Sequence, residues 1–206
     1  MWVGWEGSTI AWRFVAQDPS DETALVVAGN ASPEQDAAWG KAVLGIEQKP
    51  SAFSDPLIAT LQARYRGLRP FAAGSLFDGL VSAIIGQSIS VAAAAVTERR
   101  LAALFNDGLD LAGRVSYPLP RPDQLAEASP ELVRLSGVTM RRAIALIAVA
   151  RAWCEGRLPS TADAVQEPVR ARELLRTLPL VGPWTAESAI LWGVGWSDAF
   201  PDGDAA

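Results

Sequence analysis

Residues Leu178–Asp204, LPLVGPWTAESAILWGVGWSDAFPDGD, decide how this chain is read. They join a Gly/Pro turn, a helix and an acidic stop in one run. Pro179 ends the helix before it, because it lacks an N–H and clashes with the preceding turn. Gly182 is expected to take the left-handed conformation that a reversal needs. Pro183 suits the first helical position, where the missing N–H costs nothing. Such a turn aims free backbone N–H groups outward at a helix N-terminus, an arrangement suited to an anion such as phosphate.

Composition limits what that turn can serve. The chain has 206 residues, half of them apolar, enough for a sizeable core. No apolar run reaches the ~20 residues a bilayer-spanning helix needs. The opening Met1-Trp2-Val3-Gly4-Trp5-Glu6 lacks the basic start of a signal peptide. The single Cys154 excludes an intrachain disulfide framework. The expectation is a soluble protein of a reducing compartment. With no histidine, Ser-His-Asp and Cys-His catalysis and His-ligated metal sites are excluded. If the chain is an enzyme, its acid or base is a carboxylate, or its chemistry is electrostatic. The net charge of −5 is unusual for a DNA binder, but it is unevenly placed. Residues 1–56 hold eight acidic and three basic side chains, and residues 57–206 hold fifteen of each. The only lysines are Lys41 and Lys49. Every other basic residue is arginine, which suits bidentate phosphate contacts.

Ser8–Ala16 alternates β-formers, and Thr23–Val27 is a second apolar run. With a turn at Asp18-Pro19-Ser20-Asp21 they predict a β-hairpin, with Trp2, Trp5 and Trp12 on its core face. Ser32-Pro33 caps a helix running to about Leu44. Pro50–Pro56 reads as a linker and Leu57–Arg66 as a short amphipathic helix. Leu76, Leu80 and Ile84 form a helical stripe, interrupted at Gly86-Gln87-Ser88. Ser90 then caps Val91–Phe105, and Gly108–Pro122 reads as a loop. Helices follow from Pro122 or Asp123, from Ser129-Pro130 to Leu135, over Met140–Glu155 behind Thr139, and from Pro168. Trp192 and Trp196 read as core. The expected fold class is mostly α, with residues 1–56 a small α+β segment and 57–206 a helical core. Within that core, the helix, hairpin and helix fall at about 168–194.

Two motifs at a set separation, Leu178-Pro179-x-Val181-Gly182-Pro183-Trp184-Thr185-Ala186 and Asp198-Ala199-Phe200-Pro201-x-Gly203-Asp204, resemble the helix-hairpin-helix DNA glycosylases. Within them the similarity is to the bacterial 3-methyladenine DNA glycosylase II type. Phe77-Asp78-Gly79-Leu80 and Ile84-Ile85-Gly86-Gln87-Ser88-Ile89-Ser90 resemble the opening helices of that family. The likeness runs from about Arg66 to the end.

The resemblance implies a base-excision enzyme acting on double-stranded DNA that contains damaged bases, in the cytoplasm at the bacterial nucleoid, with no required cofactor. It makes Asp204 the catalytic carboxylate, with Asp202 the rival. It makes Trp184 and Ser188 walls of the base pocket, Trp184 having helix packing as its alternative. Ser188 stands where relatives often place tyrosine, and Leu180 where the family usually has glycine. Bifunctional members carry a Schiff-base lysine at the position of Trp184, so this chain is expected to release a base without cutting the strand. Gln87, Ser88, Val181, Gly182 and Trp184 are implied DNA contacts. Either Gln87 or Ile89 fills the gap left by the flipped base, unless Gln87 only satisfies loop backbone groups. The carbonyls of Arg176, Leu178 and Val181 are implied ligands of a structural monovalent cation. An iron–sulfur cluster has no ligands here.

The family's catalytic aspartate begins a helix, and further helices follow it. This chain stops two residues after Asp204. The expectation is a shortened glycosylase, or one completed by partner segments. The competing expectations are a non-catalytic helix-hairpin-helix DNA-binding protein that lost turnover with those helices, and a helical protein–protein module.

Overall fold

Three antiparallel strands open the chain in the computed structural model, which describes residues 2–6, 9–18, 21–46, 53–65, 72, 74–111 and 113–203. They are β1 (Trp2–Glu6), β2 (Thr9–Asp18) and β3 (Asp21–Gly29), in the order β1-β2-β3. The expected hairpin is therefore the β2–β3 half of a larger sheet. Its register pairs Trp2 with Arg13 and Val3 with Trp12. The side chains of Trp2 and Trp5, expected with Trp12 on its core face, lie outside the described ones. Helix α1 (Pro33–Val43) starts at the Ser32 capping box with Gln35. It is tied to β2 by the Arg13–Asp36 ion pair at 2.8 Å, both residues buried. Gly29 leaves room for that pair, since a Cβ there would lie 2.6 Å from Asp36 Oδ1.

Helix α2 (Pro56–Arg64) is capped by Asp55, whose side chain accepts the Leu57 and Ile58 N–H groups. The body of the fold follows: α3 (Leu76–Gly86), α4 (Val91–Phe105), α5 (Pro122–Glu127), α6 (Pro130–Arg134), α7 (Met140–Cys154), α8 (Thr161–Gln166), α9 (Pro168–Leu175) and α10 (Pro183–Val194). Ser75, Ser90, Ser129, Thr139 and Ser160 each accept an N–H from the first turn of the helix they precede. These caps satisfy donors that a helix start cannot pair internally. Leu76, Leu80, Ile84, Leu101, Leu146, Leu175 and Ile190 are fully buried and bring α3, α4, α7, α9 and α10 around one core. No helix among the described residues is long and apolar enough to cross a membrane.

Two elements depart from the sequence reading. The 108–122 stretch is not all loop: β4 (Leu109–Leu111) and β5 (Arg114–Ser116) form a small hairpin. Asp110 Oδ1 accepts the Gly113 N–H at 2.8 Å, and Gly113 has φ 80°. That Asp-x-x-Gly pattern is the turn signal the composition-level reading passed over. Helix α8 was not anticipated, although Ser160 and Asp163 form a reciprocal capping box there.

α3 and α10 cross at glycine on glycine. A Cβ on Gly79 would lie 2.7 Å from Gly193 Cα, and one on Gly193 would lie 2.8 Å from Leu76 Cα. The backbones approach this closely only because neither residue has a side chain. The crossing holds the start of α10 beside the end of α3, and this places the site.

Candidate functional site

The turn between α9 and α10 is anchored by Leu178 and Val181, both buried. The Val181 N–H donates to Leu178 O at 3.3 Å. The left-handed residue of this turn is Leu180, at φ 61°. Gly182 is extended at φ −83°, ψ −176°, which corrects the expectation that Gly182 makes the reversal. As N-cap of α10, Gly182 has no side chain to occupy the first N–H groups, and a Cβ there would meet nothing within 4 Å. The helix start therefore faces open space with unpaired donors, where its dipole favours an anion.

The loop Gln87–Ser90 between α3 and α4 sits against this turn. Gln87 Nε2 donates to Leu180 O and to Thr185 Oγ1, both at 2.8 Å. Arg142, on the first turn of α7, donates through Nη2 to Gln87 O. The Gln87 amide is thus committed to the hairpin, matching the alternative in which it satisfies backbone groups. Ser88 is exposed at φ 55°, and Ile89 and Val91 are exposed beyond it. Ile89 is thus an exposed apolar side chain within this loop.

Trp184 occupies the first turn of α10 and is half-buried. Its ring meets Trp192 edge-on, with centroids 6.1 Å apart and planes at 85°. Trp192 is 37% exposed, so it lies at the surface beside Trp184 and not in the core as expected. Trp196 does pack against the core. Ser188, one turn after Trp184, is fully buried. Trp184 Nε1 and Ser188 Oγ are buried polar atoms with no hydrogen-bond partner among the described residues.

The segment after α10 turns back at Gly195, φ 70°. Ala199 is buried, and the Phe200 N–H donates to Glu187 Oε2 at 3.2 Å. Glu187 Oε1 accepts Arg172 Nη1 of α9 at 2.8 Å. Sequence reasoning missed both residues, although a carboxylate within the apolar face TAESAILWGV is a visible irregularity. Asp202 is exposed, and Asp204 lies outside the described residues.

At the other end of α3, burial and the neighbouring Glu98 carboxylate push Asp78 up to about 7. Glu98 is itself raised by burial, opposed by a hydrogen bond from Ser82. Among the described residues no group of three His, Cys, Asp or Glu side chains is placed to hold a metal.

No family model matches the chain. The chain is 37% identical over 150 residues to DNA-3-methyladenine glycosylase 2 of Escherichia coli, over 70% of this chain and 51% of that protein. It is 25% identical over 153 residues to DNA-3-methyladenine glycosylase of Bacillus subtilis, over 74% of this chain and 50% of that one. It therefore spans about half the length of the curated relatives it matches. Among solved structures, the 3-methyladenine DNA-glycosylase from Archaeoglobus fulgidus superposes with TM-score 0.75 at 24% identity, over 98% of this chain and 70% of that one. An 8-oxoguanine glycosylase/lyase of Clostridium acetobutylicum, in complex with DNA, gives TM-score 0.72 at 18% identity, over 97% and 68%. The fold is that of the helix-hairpin-helix DNA glycosylases, with a mostly helical core behind a small α+β segment. The sequence is similar to DNA-3-methyladenine glycosylase 2 over about half of that protein's length.

Proposed function

We propose that this protein is a monofunctional DNA glycosylase that hydrolyses the N-glycosidic bond of alkylated purines such as 3-methyladenine in double-stranded DNA. The observation that carries the proposal is the bridge from Gln87 to Leu180 and Thr185. It sets an anion-ready hairpin, a loop bearing an exposed apolar side chain and the Trp184 face within one small region. Duplex DNA engaged there would lay a phosphate on the N–H groups of Gly182 and Trp184, whereas the Val181 N–H, expected to share in that grip, is already given to Leu178 O. Flipping the damaged base costs a few kcal/mol, offset by a side chain of the Ser88–Ile89 loop filling the vacated stack.

The flipped base is received beside Trp184. An aromatic face attracts a cationic alkylated purine by ~0.5–2 kcal/mol. As the bond to the base lengthens, positive charge builds on the deoxyribose, as in other glycoside cleavages. Asp204 is the carboxylate assigned to oppose that charge. At ~4 Å and an effective dielectric near 20 the attraction is on the order of 4 kcal/mol, roughly a thousandfold in rate. The same carboxylate takes a proton from the attacking water as it adds to the sugar. No lysine lies beyond Lys49, so no lysine in the helical core forms a Schiff base, and the product is an intact strand with an abasic site. The proposal includes a monovalent cation on the carbonyls of Arg176, Leu178 and Val181. Arg176 is the C-cap of α9 and Leu178 follows it, where the helix dipole favours a cation; Val181 lies in the turn beyond, and the Leu178 carbonyl already accepts the Val181 N–H and would offer its second lone pair. Acting on chromosomal DNA places the protein in the bacterial cytoplasm, at the nucleoid.

The test is release of methylated purines from alkylated duplex DNA by the wild type and by Asp204→Asn. The expected result is release by the wild type alone, with no strand cleavage before alkali. Equal release by both removes the role of Asp204. Lesion binding without release by either supports the non-catalytic DNA-binding alternative.

A further inference from the structure

Glu187 occupies an unusual position on α10. Its neighbours Ala186, Ser188, Ala189 and Ile190 are buried, and its own side chain is 13% exposed. Each carboxylate oxygen has a different donor. Oε1 takes Arg172 Nη1 from α9, and Oε2 takes the backbone N–H of Phe200 from the segment that leaves α10. The Phe200 side chain is 76% exposed, so burial of that ring does not hold the segment. The local chain is fixed by the buried Ala199 and by the bond to Glu187. From Phe200 the backbone goes directly into a turn, with the Asp202 N–H donating to Phe200 O at 2.8 Å and Gly203 at φ 71°. Asp202 and Asp204 are two and four residues beyond the anchor. Trp184 is one helical turn before Glu187 on the same helix face.

We infer that Glu187 is a positioning residue: oriented by Arg172, it anchors the Phe200 amide and thereby fixes the course of the segment that leads to Asp202 and Asp204. The inference rests on the glycosylase proposal for its catalytic consequence but not for the anchoring itself. The geometry separates it from a surface ion pair. A surface pair joins two side chains and acts on stability alone, usually weakly. Here one oxygen is spent on a backbone N–H in the segment that bears the catalytic candidate.

The experiment uses the full-length protein and three readouts: hydrogen exchange at the Phe200 amide, thermal midpoint, and single-turnover release of methylated purine alongside KM. Glu187→Ala is expected to expose the Phe200 amide to exchange. It is expected to slow the single-turnover step about 10- to 100-fold, the penalty of a reacting group displaced by about an ångström. KM should change little, because the hairpin is untouched. Arg172→Met should cost less, since Glu187 still accepts the Phe200 N–H. In the Arg172→Met background, Glu187→Gln keeps an acceptor and should retain Phe200 protection and rate, whereas Glu187→Met loses both. That pair differs in one acceptor and carries the test where Glu187→Ala does not fold. A wild-type rate in Glu187→Ala with the Phe200 amide unprotected overturns the positioning role, and unchanged protection overturns the anchor. A wild type that releases no base overturns the glycosylase proposal and with it the catalytic consequence, while exchange at Phe200 still decides the anchor.

Discussion

Adding one methyl group at Gly79 tests whether the α3–α10 crossing sets the whole site. An alanine Cβ there would sit 2.7 Å from both N and Cα of Gly193 and 2.9 Å from Ala189 O. Ordinary contact begins near 3.4 Å, so the helices must part by roughly 0.7 Å, and no flexible side chain is available to give way. Overpacking of this kind costs about 1–3 kcal/mol, and more when backbone must shift. Alanine recovers about 1 kcal/mol over glycine in a helix interior. Because all three colliding atoms are backbone, the net expected for Gly79→Ala is a loss of about 2 kcal/mol, a fall of roughly 4–8 °C in midpoint for a chain of this size. Thermal and urea unfolding read it directly. Gly86→Ala, on the same helix, is the control: its Cβ meets nothing within 4 Å, and it should gain about 0.5–1 kcal/mol. Gly193→Ala makes the reciprocal clash with Leu76 and should resemble Gly79→Ala. The double variant should cost less than the sum, since one separation serves both methyls. Wild-type stability in Gly79→Ala, or strict additivity in the double variant, would refute the close-crossing account.

Two further substitutions probe the site and its support. Leu180 holds a left-handed backbone that costs an L-residue with a Cβ about 1–2 kcal/mol. Leu180→Gly should therefore hold or raise the stability, whereas the β-branched Leu180→Val should lower it by about 1 kcal/mol or more; the opposite order in thermal or urea unfolding would show that the turn is not strained there. Asp78 carries a folded-state pKa of about 7 against an ordinary 3.8. Between those values the native state holds a proton that the unfolded chain has released, so stability falls as pH rises through that window. At about 1.4 kcal/mol per unit the loss is on the order of a few kcal/mol. Asp78→Asn should flatten the stability–pH curve between pH 4 and 7, and an unchanged slope in urea titrations would place the titrating group elsewhere.

Much of this architecture is legible in the sequence because its signals are local. Ser32, Ser90, Ser129 and Thr139 each stand where a helix is expected to start, and each does cap one. The hairpin was legible through Pro179, Gly182 and Pro183, but the residue that makes the reversal was not. The sequence points to Gly182, because glycine is the usual choice for positive φ; here it is Leu180, between the buried Leu178 and Val181, that takes that region. The Gln87 bridge spans 93 and 98 residues, and no periodicity or composition window reaches that far. The same holds for Glu187 and Phe200, joined only once α10 has formed and the chain has turned back at Gly195. Trp192 was misplaced because an apolar helix is uninformative about which face stays open.

Ser88 and Leu180 are the two non-glycine residues with positive φ among the described residues. They lie on different loops, and one side chain joins those loops: Gln87, the immediate neighbour of Ser88, donates to the carbonyl of Leu180 itself. Strain of this kind costs on the order of 1–3 kcal/mol per residue and persists only where the surroundings over-determine it. Each loop end here is over-determined. Arg142 holds the Gln87 carbonyl, Thr185 shares its amide, and Val181 and Leu178 pin the hairpin beneath. The two strained positions therefore form one rigid unit. Under the proposed function, such rigidity would serve to hold a backbone phosphate on one loop while the other enters the base stack. With the two loops locked in register, binding energy at the hairpin would not be lost in ordering the wedge.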